Sequence, residues 1–197
     1  MRTEDLITVL GRDPTLAPPR LVLRLVASVA VSLILLLIFW GAREDMASAI
    51  GNPLVLTKFA LAATLAALLL FIQRRDTALW PALVPALAAL VLFIVTLPHE
   101  NRLAAISGNT LLACLVSIPL LALPVGIGLF IGLRHTIITR PARAGWLAGL
   151  IAGALATTLY ALHCTEDAPA FYVLWYSAGI LITGSVGRWL GPRVLGL

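Results

Sequence analysis

Apolar residues run along this chain in six long stretches, 25–41, 54–72, 79–97, 110–133, 144–162 and 169–188, that hold almost no charge. A bilayer core about 30 Å thick takes a helix of about 20 largely apolar residues, so each stretch predicts one transmembrane helix. Polar and apolar positions do not alternate within them, which argues against the strands of a membrane barrel. The charges inside the stretches are Lys58, near the start of the second, and Arg188, at the end of the sixth. Lys58 is predicted to lift its ammonium into the headgroups while its methylenes stay in lipid. The expected fold is an all-α integral membrane protein, a bundle of six transmembrane helices with short loops. Residues 1–24 form a leader with one short helix, 25–190 the six-helix domain and 191–197 a tail. The acids Glu4, Asp5 and Asp13 in the leader, and the lack of a small-residue pair at cleavage spacing before Arg43, predict an uncleaved first helix and not a signal peptide.

Composition narrows the function classes. Hydrophobic residues make up 60% of the 197 and charged residues 12%, with a mean hydropathy of +1.01. Soluble domains carry about a quarter charged residues. Six spans leave no room for a soluble catalytic, nucleotide-binding or nucleic-acid-binding domain. The net charge of +5 reads first as a topology signal. With six spans both termini share a side, and 11 of the 14 Lys and Arg residues fall on it; only Arg43, Lys58 and Arg102 lie opposite. Both termini are therefore expected in the cytoplasm, on a face carrying +7 against −2 outside. The lipid bilayer absorbs the basic balance, and no direct nucleic-acid partner is expected.

Chemistry within the spans is sparse. No ionisable residue stands at the middle of any span, whereas ion-coupled transporters usually place one there. Glycine-rich phosphate loops, HExxH and GxSxG motifs are absent, so the chain is expected to be no enzyme. Gly145, Gly149 and Gly153 recur every four residues and share one helix stripe. Such a stripe lets backbones approach, either within the bundle or in a homodimer. Pro119 and Pro124 interrupt the fourth span and free the carbonyls of Leu115 and Leu120, which predicts a kink that is either static or a hinge.

The two cysteines are the remaining candidates. Cys114, near the outer end of the fourth span, and Cys164, just past the outer end of the fifth, fall at the same membrane surface. Three outcomes are open: a disulfide, a soft-metal site or two unrelated buried thiols. A disulfide closing this loop would stabilise the fold by about 4 kcal/mol on a chain-entropy model. A metal site would add His163, Glu166 and Asp167, with His99 a further ligand from the same surface, and would suit zinc, cadmium or another soft cation. No cofactor is required; a soft metal ion enters only as a signal.

The run Leu162-His163-Cys164-Thr165-Glu166-Asp167-Ala168-Pro169, with Phe171 and Leu174-Trp175-Tyr176 after it, resembles the NrsF family. So do Gly108-Asn109 through Cys114 and Ser117-Ile118-Pro119-Leu120-Leu121-Ala122-Leu123-Pro124, and the likeness covers essentially the whole chain. These are bacterial six-helix inner-membrane anti-sigma factors, negative regulators of an extracytoplasmic-function sigma factor. Thr165 stands where many relatives carry proline, which alters the stiffness of the loop more than its chemistry. The resemblance implies a protein that holds its sigma factor inactive on the cytoplasmic side and releases it on heavy-metal or oxidant stress, with Cys114 and Cys164 as the matching thiols. A small transporter or metal-efflux protein using the same thiols is the alternative.

A cytoplasmic receiver is expected in the leader. Thr3 caps a short helix, Glu4 and Asp5 favour its N-terminal dipole, and Leu6, Ile7, Val9 and Leu10 supply an apolar surface ending at Gly11. Pro14, Pro18 and Pro19 are predicted to make an extended connection to the first span. The same segment could instead lie on lipid.

Overall fold

The computed structural model describes residues 18–136 and 138–196. The leader residues Glu4, Asp5, Leu6, Ile7 and Leu10 lie outside them. The described residues form helices and no strands: α1 (Pro18–Phe39), α2 (Met46–Ala49), α3 (Pro53–Arg75), a 3-10 turn (Trp80–Ala82), α4 (Leu83–Thr96), α5 (Arg102–Ser107), α6 (Leu111–Leu133), α7 (Pro141–Tyr160) and α8 (Pro169–Leu195). Five segments are long and apolar enough to cross a membrane: Leu21–Phe39, Pro53–Arg75, Arg102–Leu133, Pro141–Tyr160 and Pro169–Leu195.

The predicted third span, 79–97, is shorter than expected. It opens with the Trp80–Ala82 turn and continues as the 14 residues of α4, stopping at Thr96. The stop is local: Leu97 precedes Pro98, and the proline ring pushes it into the extended region at φ −68°, ψ 117°. At 1.5 Å per residue the Trp80–Thr96 unit reaches about 25 Å, against about 30 Å of hydrocarbon.

Other boundaries also move. Pro18 and Pro19 belong to α1 and do not form an extended connector; in a first helical turn proline loses nothing, because its missing N–H would be unpaired there anyway. The expected tail is helical through Leu195, with Pro192 inside α8 and the Arg193 guanidinium 4.1 Å from the centre of the Trp189 ring. Asn52 starts α3 by accepting the Leu54 amide at 3.0 Å with Pro53 behind it, and Asp76 ends it in the left-handed region. Arg74 and Arg75 in the last turn complement the helix dipole.

Two close seams hold the bundle. On α7, Gly145, Gly149 and Gly153 face α8, where a Cβ at Gly145 would strike the Gly187 carbonyl and Gly191, and one at Gly149 the Thr183 carbonyl and Gly184. The fit is reciprocal, since Gly187 and Gly191 meet the backbone of Gly145 and Pro141. Without a hydrophobic driving force between helices in lipid, such backbone contact lets van der Waals packing hold them. The stripe is thus filled by α8 of the same chain, and self-association would need another face. On α6, Gly128 and Gly132 receive Ser28 and Leu21 of α1. Helix α6 continues through Pro119 and Pro124, both half-buried. Around them, Trp40 Nε1 donates to Ser117 Oγ at 2.9 Å and Ser32 Oγ to the Leu121 carbonyl at 2.9 Å.

Candidate functional site

Opposite the end where Leu21 meets Gly132 and Pro141 meets Gly191, three connections converge: the turn after α1, the break before α6 and the loop between α7 and α8. Helix α1 closes at Gly41, whose amide donates to the Leu36 carbonyl at 3.0 Å; the next turn places the Arg43 amide 3.0 Å from the Leu162 carbonyl. Helix α7 ends at Tyr160, whose carbonyl takes the amides of His163 and Cys164. Residues 164–168 then pass without regular structure to Pro169 at the start of α8. This loop carries Cys164, Glu166 and Asp167.

The two thiols meet. Cys114 Sγ and Cys164 Sγ are 4.0 Å apart, both side chains free and buried at 0% and 3% exposure. Thr110 Oγ1 lies 3.9 Å from Cys114 Sγ. Aromatic rings of the same core stand nearby: Tyr160 and Tyr176 pack edge to face with centroids 6.2 Å apart, and Tyr172 lies 6.1 Å from Tyr176. The Tyr176 hydroxyl is buried with no hydrogen-bond partner among the described residues.

Around the loop stands a cluster of charges that sequence reasoning missed. Lys58, expected at the headgroups, is instead 1% exposed. Its Nζ donates to the Cys164 carbonyl at 2.8 Å, the Glu166 carbonyl at 3.3 Å and Asp167 Oδ1 at 2.8 Å. A buried ammonium is tolerable only when its donors are matched, and here three acceptors replace water. Arg43, also buried, makes a two-bond fork to Asp45 (both 2.7 Å) and a second to Asp167 (3.0 and 2.9 Å), and its Nη1 reaches the Cys164 carbonyl at 3.4 Å. The forks match planar guanidinium to planar carboxylate. A signal was present in the sequence: on the cation-poor face two of three basic residues lie within 15 positions of each other, close to acids.

Charge follows this geometry. Hydrogen bonds to Asp45 and Asp167 hold the proton on Arg43 more tightly than usual, and Arg43 in turn holds Asp45 below the ordinary carboxylate range. Burial pushes Asp167 upward, but Arg43 and Lys58 together outweigh it and keep it ionised. The hydrogen bond from Cys114 lowers the Cys164 thiol against the opposing effect of burial, with the Lys58 charge assisting. A thiol lowered in this way gains thiolate character, the nucleophilic form of cysteine.

The five residues considered as one metal set do not converge. Asp167 is turned to Arg43 and Lys58, Glu166 Oε1 accepts the Asn109 amide at 2.9 Å, and His163 Nδ1 faces the Gly41 carbonyl at 3.3 Å. Among the described residues no three His, Cys, Asp or Glu side chains form a metal-binding group.

The chain matches the family described as "NrsF: Negative regulator of sigma F" over residues 10–196. It belongs to the NrsF family. The chain is 34% identical over 213 residues to the Anti-sigma-F factor NrsF of Caulobacter vibrioides (strain NA1000 / CB15N), covering 99% of both chains. It is also 34% identical over 212 residues to the Probable anti-sigma-F factor NrsF of Azospira oryzae (strain ATCC BAA-33 / DSM 13638 / PS), again with 99% of each covered. No solved structure matches. In this NrsF chain the sequence-predicted thiols are neighbours, and Glu166, Asp167 and His163 serve the loop that carries one of them.

Proposed function

We propose that this NrsF protein is an anti-sigma factor of the bacterial inner membrane. It holds an extracytoplasmic-function sigma factor at the cytoplasmic face and releases it when the outward-facing thiols are modified. The proximity of Cys114 and Cys164, 4.0 Å apart in a chain similar to named anti-sigma factors over 99% of each, is the observation that carries the reading. Two adjacent thiols, one favoured as thiolate, are suited to a heavy metal or an oxidant. Under this proposal the chain makes six spans, and the 11-to-3 division of Lys and Arg that six spans give puts both termini in the cytoplasm. In this reading α4 spans a locally thinned bilayer, which is a modest cost for a helix a few ångströms short. The leader, with Glu4 and Asp5 beside Leu6, Ile7 and Leu10, is the sigma contact.

Retention of sigma factor on isolated membranes tests this, with and without cadmium or an oxidant, for wild type and the Cys114→Ser/Cys164→Ser double variant. Both proteins should retain sigma, and stress should free it only from wild type. Deleting residues 1–12 should abolish retention. Lack of retention by unstressed wild type would end the proposal, and cadmium flux into proteoliposomes would then favour a transporter.

A further inference from the structure

We propose that Arg43 and Lys58 are positioning residues that grip the 162–168 loop, keep the Cys114 and Cys164 thiols adjacent and shielded, and tie that loop to α1 and α3. Residues 164–168 of the loop belong to no regular element, so their course needs fastening from outside. Lys58 fastens it from α3 through two backbone carbonyls and Asp167, and Arg43 fastens it from the end of α1 through its amide to Leu162 and its guanidinium to Cys164 and Asp167. The Cys164 carbonyl receives both cations, so the backbone of the reactive residue is itself the point gripped. Glu166 adds a third tie through Asn109 to the break before α6, the helix that carries Cys114.

This arrangement gives the thiols a mechanical connection to α1 and α3. Cys164 is 3% exposed with its sulfur 4.0 Å from that of Cys114, so a group added there displaces its neighbours and moves the loop, which pulls on Arg43 at the end of α1. Helix α1 leads, at its other end, into the leader. Residues that couple distant sites must belong to elements with two arrangements, and a loop held by ion pairs to α3 and to the end of α1 becomes such an element once a pair is broken. Use of this grip in signalling rests on the proposed function; the grip itself does not.

The test is labelling of purified full-length protein in nanodiscs by a maleimide, counted by intact mass, for wild type, Lys58→Met, Asp167→Asn and the combined variant. Labelling of a buried thiol follows its opening equilibrium, so each single variant should label Cys164 about tenfold faster, and the combined variant faster than Lys58→Met alone, because Asp167→Asn also removes the Arg43 fork. A Ser32→Cys reporter, buried between α1 and α6, should keep its slow rate in all of them. Unchanged Cys164 labelling in the variants would overturn the proposal, as would equal acceleration at the reporter, which would mean general loosening. If labelling behaves as expected but wild-type membranes retain no sigma factor, the anti-sigma reading fails and the grip stands. Where retention holds, Lys58→Met should release sigma without stress, and Pro119→Ala should not.

Discussion

The two ends of this bundle are built on different principles. At the thiol end, Arg43, Lys58, Asp45 and Asp167 form an interlocked set with both cations buried, fastening a loop whose backbone has no regular structure. At the other end, the Arg143–Asp76 pair is exposed, and a cavity of about 430 Å³ opens among Leu21, Gln73, Arg74, Leu133, Arg140 and Arg143. One end is closed by paired charges and the other is open and basic. A desolvated charge pair is stiff because breaking it strands a charge, whereas an exposed pair can exchange its partner for water. The closed end is therefore suited to holding a reactive group in a set geometry, and the open end to meeting something from solution.

Breaking the closed end should have the largest effect. Lys58→Met leaves part of the Asp167 charge unmatched and should lower stability by about 3 kcal/mol, read from thermal unfolding in nanodiscs. A change of the same size on Arg143→Ala would erase the contrast between the ends. A pH titration sharpens the same point. Asp167 is held below its ordinary value, so its contribution is complete above the unfolded carboxylate pKa near 4 and is lost as pH falls through the lower folded value. The unfolding temperature should hold from neutral pH to about pH 5 and drop below about pH 4, a dependence that Asp167→Asn should flatten. Smaller still is Cys114→Ser/Cys164→Ser, where two small buried side chains keep their size; about 1 kcal/mol is expected, with the response to oxidant gone. Smallest is Arg143→Ala, about 0.5 kcal/mol or less for an exposed pair.

Glycine placement shows how much packing was legible. The four-residue spacing of Gly145, Gly149 and Gly153 announced a close helix contact, but its partner could have been another span or another copy. The matching Gly187 and Gly191 on α8 decide it, because two backbones at that distance admit only each other. Apolar runs likewise located the helices and the end of α4 to within one residue, while missing that the predicted third span opens as the Trp80–Ala82 turn and turns α-helical only at Leu83.

Lys58 is the instructive error. A lysine near a span end has a long apolar stem, and from sequence the headgroup region was its natural destination. Burial became favourable only because the Cys164 and Glu166 carbonyls and Asp167, more than 100 positions away, stand within reach.

By itself the sequence determined that this chain is helical, with segments long and apolar enough to cross a membrane. Those properties follow from the free energy of moving each residue type into hydrocarbon, which depends on the residue and its immediate neighbours. Only tertiary structure decided that Cys114 and Cys164 are neighbours, that Asp167 is matched by two cations, and that the glycine stripe is filled from within. Each of these joins residues far apart in the chain, and hydrophobic periodicity carries no information about which helix faces which.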